Sequence, residues 1–404
     1  MSNIVIAANF ESALQSSLGK LAQDDIWSYS IDKNLPNNSK DVVIVKPNIS
    51  PSGTFVNKNV TFKLPRYALT RGLLFVIKPT FAAGQTQIND SKFATRIYRD
   101  ITIRTNNNAI FSQSPAYSLV RLSELPFDKA IIHNRLVNGT RNITVDAGQQ
   151  STYGLASYAP FFESDKMAID LSYVEQIEVS CTINDLVGMG ITADFSACEF
   201  ECHMFNTYLS SQALEAYQSN QFGGESAKLV MLTYNPYNEN SMPITNGTTT
   251  TTIDLKCPNS VTQTSFYIAD SAQDLGPIIE IDGFTLRMAG RTIYENVERA
   301  VLDFDGARYG KVDLNVSNDG TIGCVGSDDL TTPFPNLCTI YHGQERSKTW
   351  NSGAISLTNT NGPQLTITHE DPGNTTHRLY VVHSYLNFLS INSGDGQLSV
   401  GNSY

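Results

Sequence analysis

Cys198, Cys202 and His203 stand close together in the chain, and thiolates with an imidazole are typical zinc donors. Their spacing argues against a metal. A C-x-x-x-C-H run alternates between the faces of a strand and has no second donor pair, so cysteines packed like small apolar residues are expected instead. Asp303-Phe304-Asp305-Gly306 resembles the start of a calcium loop, but the later ligands and the closing Glu are missing, which leaves a turn. Neither a G-x-S-x-G nucleophile elbow nor a glycine-rich phosphate loop occurs. His203 and His383 fall at matching places in two separate halves, so a packing or interface role is expected of them rather than one shared site. A carboxylate pair for glycoside hydrolysis needs no fixed spacing; that chemistry stays open, with nothing recommending it. No catalytic residue, metal site or cofactor is expected.

The elements that would carry such residues are strands. Val42 to Val45, Val60 to Leu64, Leu73 to Ile77 and Ile97 to Arg104 are short β-branched or aromatic runs, bounded by Pro47, Pro51, Gly53, Pro65, Pro79 and Gly84. Ile177-Glu-Val179-Ser-Cys181-Thr-Ile183 alternates strictly, so one face is buried and the other wetted. Regular short strands between turn signals predict a sandwich or barrel rather than a βαβ fold.

The strand pattern is written twice. Ile103-Arg104 leading to Ile110-Phe111 is echoed by Leu286-Arg287 leading to Ile293-Tyr294, a shift of 183 positions. Thr61 to Pro65 is echoed by Ile253 to Pro258, Leu74-Phe75-Val76 by Phe266-Tyr267-Ile268, and Cys202 to Phe205 by Val382 to Tyr385. Echoes in one order, with drifting shifts, are what unequal loops between equivalent strands produce. The 404 residues exceed the size at which one core usually splits, and each half suits one sandwich.

The expected division is an arm over 1–30, a first sandwich over 31–218, a linker over 219–227 and a second sandwich over 228–404. In the arm, Phe10, Leu14, Leu18 and Leu21 lie at helix-face spacing, an apolar stripe that needs a covering surface. That surface could be its own domain, a neighbouring subunit or a membrane face. Ser211 to Gln218 predicts a short connecting helix. Asn235 to Thr252 is polar and Thr-rich, and predicts a loop or extended surface ribbon. Residues 120–168 and 305–348 are rich in turn formers and predict matching excursions from the two sandwiches, where surface function usually sits.

Composition narrows the function classes. With 41% hydrophobic and 17% charged residues the chain is too apolar for disorder. A net charge of −11 repels phosphates, so no direct nucleic-acid binding is expected. Six cysteines are too sparse for a disulfide scaffold. Met1 to Phe10 shows no secretory signal, and apolar runs are of strand length, so folding in a reducing cytoplasm is expected.

Near the end, Trp350 to Leu357, then Pro363 to Ile367, then Leu379 to Gly396 with Tyr385, Asn387, Leu389, Ile391 and Gly394, form an ordered series. This series resembles the closing strands of double jelly-roll major capsid proteins, the shell proteins of tailless icosahedral double-stranded DNA viruses. Ile281 to Tyr294 is similar to that family's strand pair with a glycine turn. Gly290 occupies the turn here, and Asn107 stands at its place in the first half. The resemblance is residue-specific only over roughly 279–294 and 350–396.

It implies an all-β chain of two tandem jelly-roll sandwiches, with the N-terminal helical arm and connecting helix as accessories. It implies a homotrimer whose six similar rolls approximate a hexagon, tiling a virion shell, with synthesis in the host cytoplasm. Partners would be neighbouring capsomers, penton or minor capsid proteins and an internal membrane, with the arm (Phe10, Leu14, Leu18, Leu21) a candidate assembly contact. Two rivals stay open on the residues alone: a viral spike or carbohydrate-binding module, which would show a concave aromatic site, and a sandwich-fold hydrolase. The 18 tyrosines are spread along the whole chain.

Overall fold

A computed structural model describes residues 38–48, 59–66, 69–81, 93–105, 108–125, 132–133, 136–137, 152–159, 169–170, 176–184, 195–209, 229–234, 237–257, 260–270, 279–301, 315–316, 322–323, 337–342, 354–357, 362–373, 377–385, 387–392 and 397–401. The arm residues Phe10, Leu14, Leu18 and Leu21, the expected connecting helix at 211–218 and the Asp303 turn lie outside the described residues.

The first half contributes β1 (Asn38–Val45), β2 (Asn59–Leu64), β3 (Leu69–Phe81), helix α1 (Phe93–Ile97), β4 (Tyr98–Thr105) and β5 (Asn108–Gln113). Helix α2 (Pro115–Ser123) follows, then β6 (Tyr153–Ala156), β7 (Ile169–Asp170), β8 (Ile177–Ile183) and β9 (Phe195–Leu209). One sheet runs β1-β9-β3-β6, with the short β7 also on β3; the other runs β2-β8-β4-β5. Chain neighbours change sheet except at the β4–β5 hairpin and between β6 and β7, and every ladder within the sheets is antiparallel. This is the eight-strand arrangement that closes two sheets over one core.

The second half repeats it. It opens with β10 (Leu229–Tyr234), β11 (Tyr237–Pro243), β12 (Thr250–Asp254), β13 (Ser260–Asp270), β14 (Ile281–Met288) and β15 (Arg291–Glu298). Two short pairs of residues, β16 (Asn315–Val316) and β17 (Ile322–Gly323), precede β18 (Cys338–Tyr341) and β19 (Ile355–Ser356). The chain ends in β20 (Gln364–His369), β21 (His377–Tyr385), β22 (Asn387–Asn392) and β23 (Gln397–Gly401). The sheets run β11-β21-β13-β18 and β12-β20-β14-β15, strand for strand the order of the first half. Outside this plan, β10 pairs with β22 and β22 with β23.

Alternation sets which side chains form each core. In β8, Ile177, Val179, Cys181 and Ile183 are buried while Glu178, Ser180 and Thr182 are not. Each buried aliphatic of this kind contributes about 1.5–3 kcal/mol relative to exposure. The first core gathers Phe62, Phe75, Tyr98 and Ile103, the second Phe266, Phe284, Leu286 and Ile367. At the β14–β15 hairpin, Ala289 (φ 51°) and Gly290 (φ 74°) both turn through positive φ, as a tight two-residue connection requires. Gly290 is therefore the turn residue the sequence indicated.

Four expectations are corrected. Asn235 to Thr252 is a loop only over 244–249: β11 precedes that loop and β12 begins after it, with Thr251 and Ile253 of β12 pointing inward. Residues 120–168 and 305–348 are not pure excursions, since β6 and β18 lie within them and complete their sheets. Ile97 closes helix α1 rather than opening a strand.

The strand echoes are also one step out. Cys202 pairs with Phe75, and Val381, not Val382, pairs with Phe266. Hence His203 and His383 are not equivalent. His203 lies on the outer face beside Glu201, and His383 is fully buried inside the second sandwich. A period-two pattern hides a one-residue slip that exchanges the two faces of a strand.

Candidate functional site

The two sandwiches meet at a junction built around α2. Ser114 caps this helix: its backbone is extended (φ −87°, ψ 164°), and its Oγ accepts the Tyr117 N–H at 3.1 Å. Pro115 at the first helical position has no N–H to lose and a φ already suited to the helix. The Ser-Pro pair is a helix start readable in the sequence.

From this helix and the end of β5, aromatic rings reach the outer face of the second half's β11-β21-β13 sheet. Tyr117 stacks on Tyr237 of β11 with centroids 4.1 Å apart and planes within 8°. Phe111 meets Tyr237 edge-on at 6.2 Å. The Ser114 N–H donates to the Tyr237 hydroxyl oxygen at 2.7 Å, and Ser114 Oγ donates to Glu239 Oε2 at 2.8 Å. At the helix's other end, the buried Glu124 carboxylate accepts from Gln263 Nε2 on β13 and from Arg121 Nη1 at 2.5 Å. Tyr267, Ala269 and Val382 from this sheet are continuous with the first core, and Tyr267 stacks on Tyr380 at 5.3 Å. The halves are thus packed through a seam of rings and hydrogen bonds, in which the buried Tyr267 Oη has no hydrogen-bond partner among the described residues.

The corresponding sheet face of the first half is exposed over part of its area. Val42, Ile44 and Phe205 are exposed there, next to Glu201. Glu201 is buried and accepts from Lys46, from Lys78 at 2.7 Å and from His203 Nε2 at 2.9 Å. Burial alone would push its carboxyl up, but the His203, Lys46 and Lys78 hydrogen bonds outweigh that and hold it at about 2.

The candidate chemical residues fall apart in space. Cys198 and Cys202 pack on the inner face of β9, His203 on the outer. Burial pushes both thiols up, which disfavours the thiolate a metal would need. No group of three or more His, Cys, Asp or Glu able to hold a metal occurs among the described residues. Inside the second sandwich, the Thr264 hydroxyl lies 2.9 Å from His342 Nε2 and 3.0 Å from His383 Nδ1. Burial keeps His342 at about 4; burial, and then His342, keep His383 at about 3. This is a neutral polar knot in which Thr264 and His383 are buried and His342 is half-buried.

No known protein family matches the sequence, and no curated protein is similar to it. Solved structures are similar in shape. The PBCV-1 virus capsid matches with a TM-score of 0.67 and 11% identity, over 91% of this chain and 97% of that one. This chain is a double jelly roll. The Faustovirus major capsid protein shares the double jelly roll with a TM-score of 0.61 and 9% identity, over 88% and 91% of the two chains. The mavirus major capsid protein does so with 0.58 and 12%, over 89% and 90%. At such identities the common property is the fold. Both rolls are covered, so the tandem arrangement as well as the single sandwich is shared.

Proposed function

We propose that this double jelly roll is a major capsid protein whose homotrimer forms a pseudo-hexagonal capsomer of an icosahedral double-stranded DNA virus. The observation that carries this is the repeated strand order, with one roll packed through α2 onto the sheet face of the other. Such a chain supplies two similar wedges in a fixed relation, and three chains supply six. The likeness to the PBCV-1, Faustovirus and mavirus capsid structures supports the same reading.

On this reading the work of the protein is assembly, not catalysis, and its place is the virion shell after synthesis in the host cytoplasm. The trimer interface would bury about 2,000–5,000 Å² or more, as obligate interfaces do, and contacts between capsomers would be smaller and more polar. Neighbouring capsomers, penton or minor capsid proteins and an internal membrane are the proposed partners. The net charge of −11 suits a shell that does not grip its genome. We take 1–30 as the assembly arm, 31–218 and 228–404 as the two rolls and 219–227 as the linker.

A binding-module reading loses its motive, because the largest buried tyrosines (Tyr98, Tyr117, Tyr153, Tyr158 and Tyr267) serve packing rather than an open aromatic site. Negative-stain electron microscopy of the purified protein tests the proposal. Three-fold particles with a hexagonal outline and six similar lobes are expected. Two-lobed monomers at every concentration would overturn it.

A further inference from the structure

Asn246-Gly247, in the connection between β11 and β12, carries a chemistry that assembly does not use. An asparagine followed by glycine can react with its own backbone, because the second residue has no Cβ to hinder the approach. The sequence holds three such pairs, at Asn138, Asn246 and Asn361, and the described residues include both members only at Asn246. Asn246 and Gly247 are exposed, and Gly247 lies at φ 79° with nothing within 4 Å of where a Cβ would stand. Water and hydroxide therefore reach the pair.

In the reaction the Gly247 amide nitrogen gives its proton to hydroxide and attacks Asn246 Cγ. The new N–Cγ bond closes a succinimide ring, the bond from Cγ to the side-chain nitrogen breaks, and that nitrogen leaves as ammonia. Water then opens the ring at either carbonyl and yields aspartate or isoaspartate. The structure engages the attacking group elsewhere. Gly247 N–H donates to Asp371 Oδ1 at 3.0 Å, and the same oxygen accepts the Gly373 N–H at 3.0 Å. Asp371 stands between β20 and β21, so one carboxylate ties two turns together. A carboxylate is far too weak a base to take an amide proton, but its charge disfavours an amide anion beside it. Thr248 N–H and Thr248 Oγ1 also both donate to the Thr245 carbonyl, at 3.3 and 2.6 Å, and brace the turn.

We infer that Asn246 is a site of spontaneous deamidation in this chain and that Asp371 guards it, the rate following the fraction of time for which the Gly247 N–H is released. Ring closure waits for a local opening of the two turns, not for unfolding of the roll. The product sustains the change. An acid at position 246 adjoins the residue whose N–H Asp371 holds, and two like charges there oppose reclosure of the clamp. Each conversion is one-way and replaces a neutral amide with a negative charge.

Peptide mapping by mass spectrometry of the full chain, incubated at mildly alkaline pH, tests this against a synthetic peptide of residues 240–252. Loss of the Asn246 amide should run about tenfold slower in the folded chain than in the peptide, as a hydrogen bond to a charged group allows. D371A should recover most of that difference. D371N, which keeps an acceptor oxygen without the charge, should fall between wild type and D371A. Asn138-Gly139 and Asn361-Gly362 should keep their wild-type rates in D371A, which separates a local guard from unfolding. A folded wild-type chain that converts as fast as the peptide would overturn the guard, and so would a D371A chain as slow as wild type. Acceleration at all three pairs in D371A would overturn it as well, because loss of the whole roll would then be the cause.

Discussion

Tyr117 of the first roll and Tyr237 of the second lie with ring centroids 4.1 Å apart and planes within 8°, and the Tyr237 hydroxyl accepts the N–H of the residue that caps the Tyr117 helix. One side chain therefore both packs the seam and completes a backbone hydrogen bond. Replacing Tyr237 with Ala should cost about 2–4 kcal/mol through lost ring contact and an unsatisfied N–H. Tyr237→Phe keeps the ring and should cost about 1–2 kcal/mol. Urea unfolding midpoints measure both; equal losses would show that the hydrogen bond, not the stacking, holds the seam.

Acid should weaken the second roll before it weakens the first. His342 and His383 are held neutral at about 4 and about 3, below the ordinary histidine value of 6.5. The unfolded chain binds protons there that the folded chain refuses, so stability is full above pH 6.5 and declines as pH falls towards 4. Nε2 of His383 has no hydrogen-bond partner among the described residues. His383→Met should therefore flatten the decline in unfolding midpoint between pH 7 and pH 4.5. An unchanged slope would place the acid sensitivity elsewhere.

Glu201 behaves in the opposite sense and at lower pH. Its carboxyl is held at about 2, so its contribution is present above the unfolded value of 4.5 and is lost as pH falls through 2. Glu201→Gln should lower the unfolding midpoint at pH 7 and narrow its gap from wild type as pH falls from 4.5 towards 2. A gap that stays constant to pH 2 would mean the ion pairs add nothing beyond shape.

The β14–β15 hairpin isolates backbone strain from packing. A Cβ at Gly290 would meet nothing within 4 Å, yet φ is +74°, so Gly290→Ala should cost about 1–2 kcal/mol through conformation alone. Ala289 already bears that conformation at φ 51°, and Ala289→Asn should stabilise by about 0.5–1 kcal/mol. Thermal melts of the two variants should move in opposite directions.

Deleting residues 1–24 removes Phe10, Leu14, Leu18 and Leu21. If this arm bridges capsomers, sedimentation should still show trimers while shell assembly fails. Loss of the trimer itself would place the arm in the trimer core.

The sequence determined the strands, their duplication and the turn at Gly290. These are local properties: alternation in Ile177 to Ile183, and the need for positive φ where a hairpin reverses. It also argued against a metal at Cys198, Cys202 and His203, which lack a second pair of donors. Local pattern could not fix the register between copies, since a two-residue period reads the same after a slip that turns His383 from the outside to the core. Nor could it show that polar Tyr237 to Pro243 is a strand, because an edge strand carrying Asn238, Glu239, Asn240 and Ser241 has no apolar alternation to betray it.

Only tertiary structure decided which surfaces are covered. Val42, on the β1-β9-β3 sheet of the first roll, is exposed, while Tyr237, on the matching β11-β21-β13 sheet of the second, is covered by Phe111 and Tyr117, because burial depends on what the chain brings alongside, not on the residue itself.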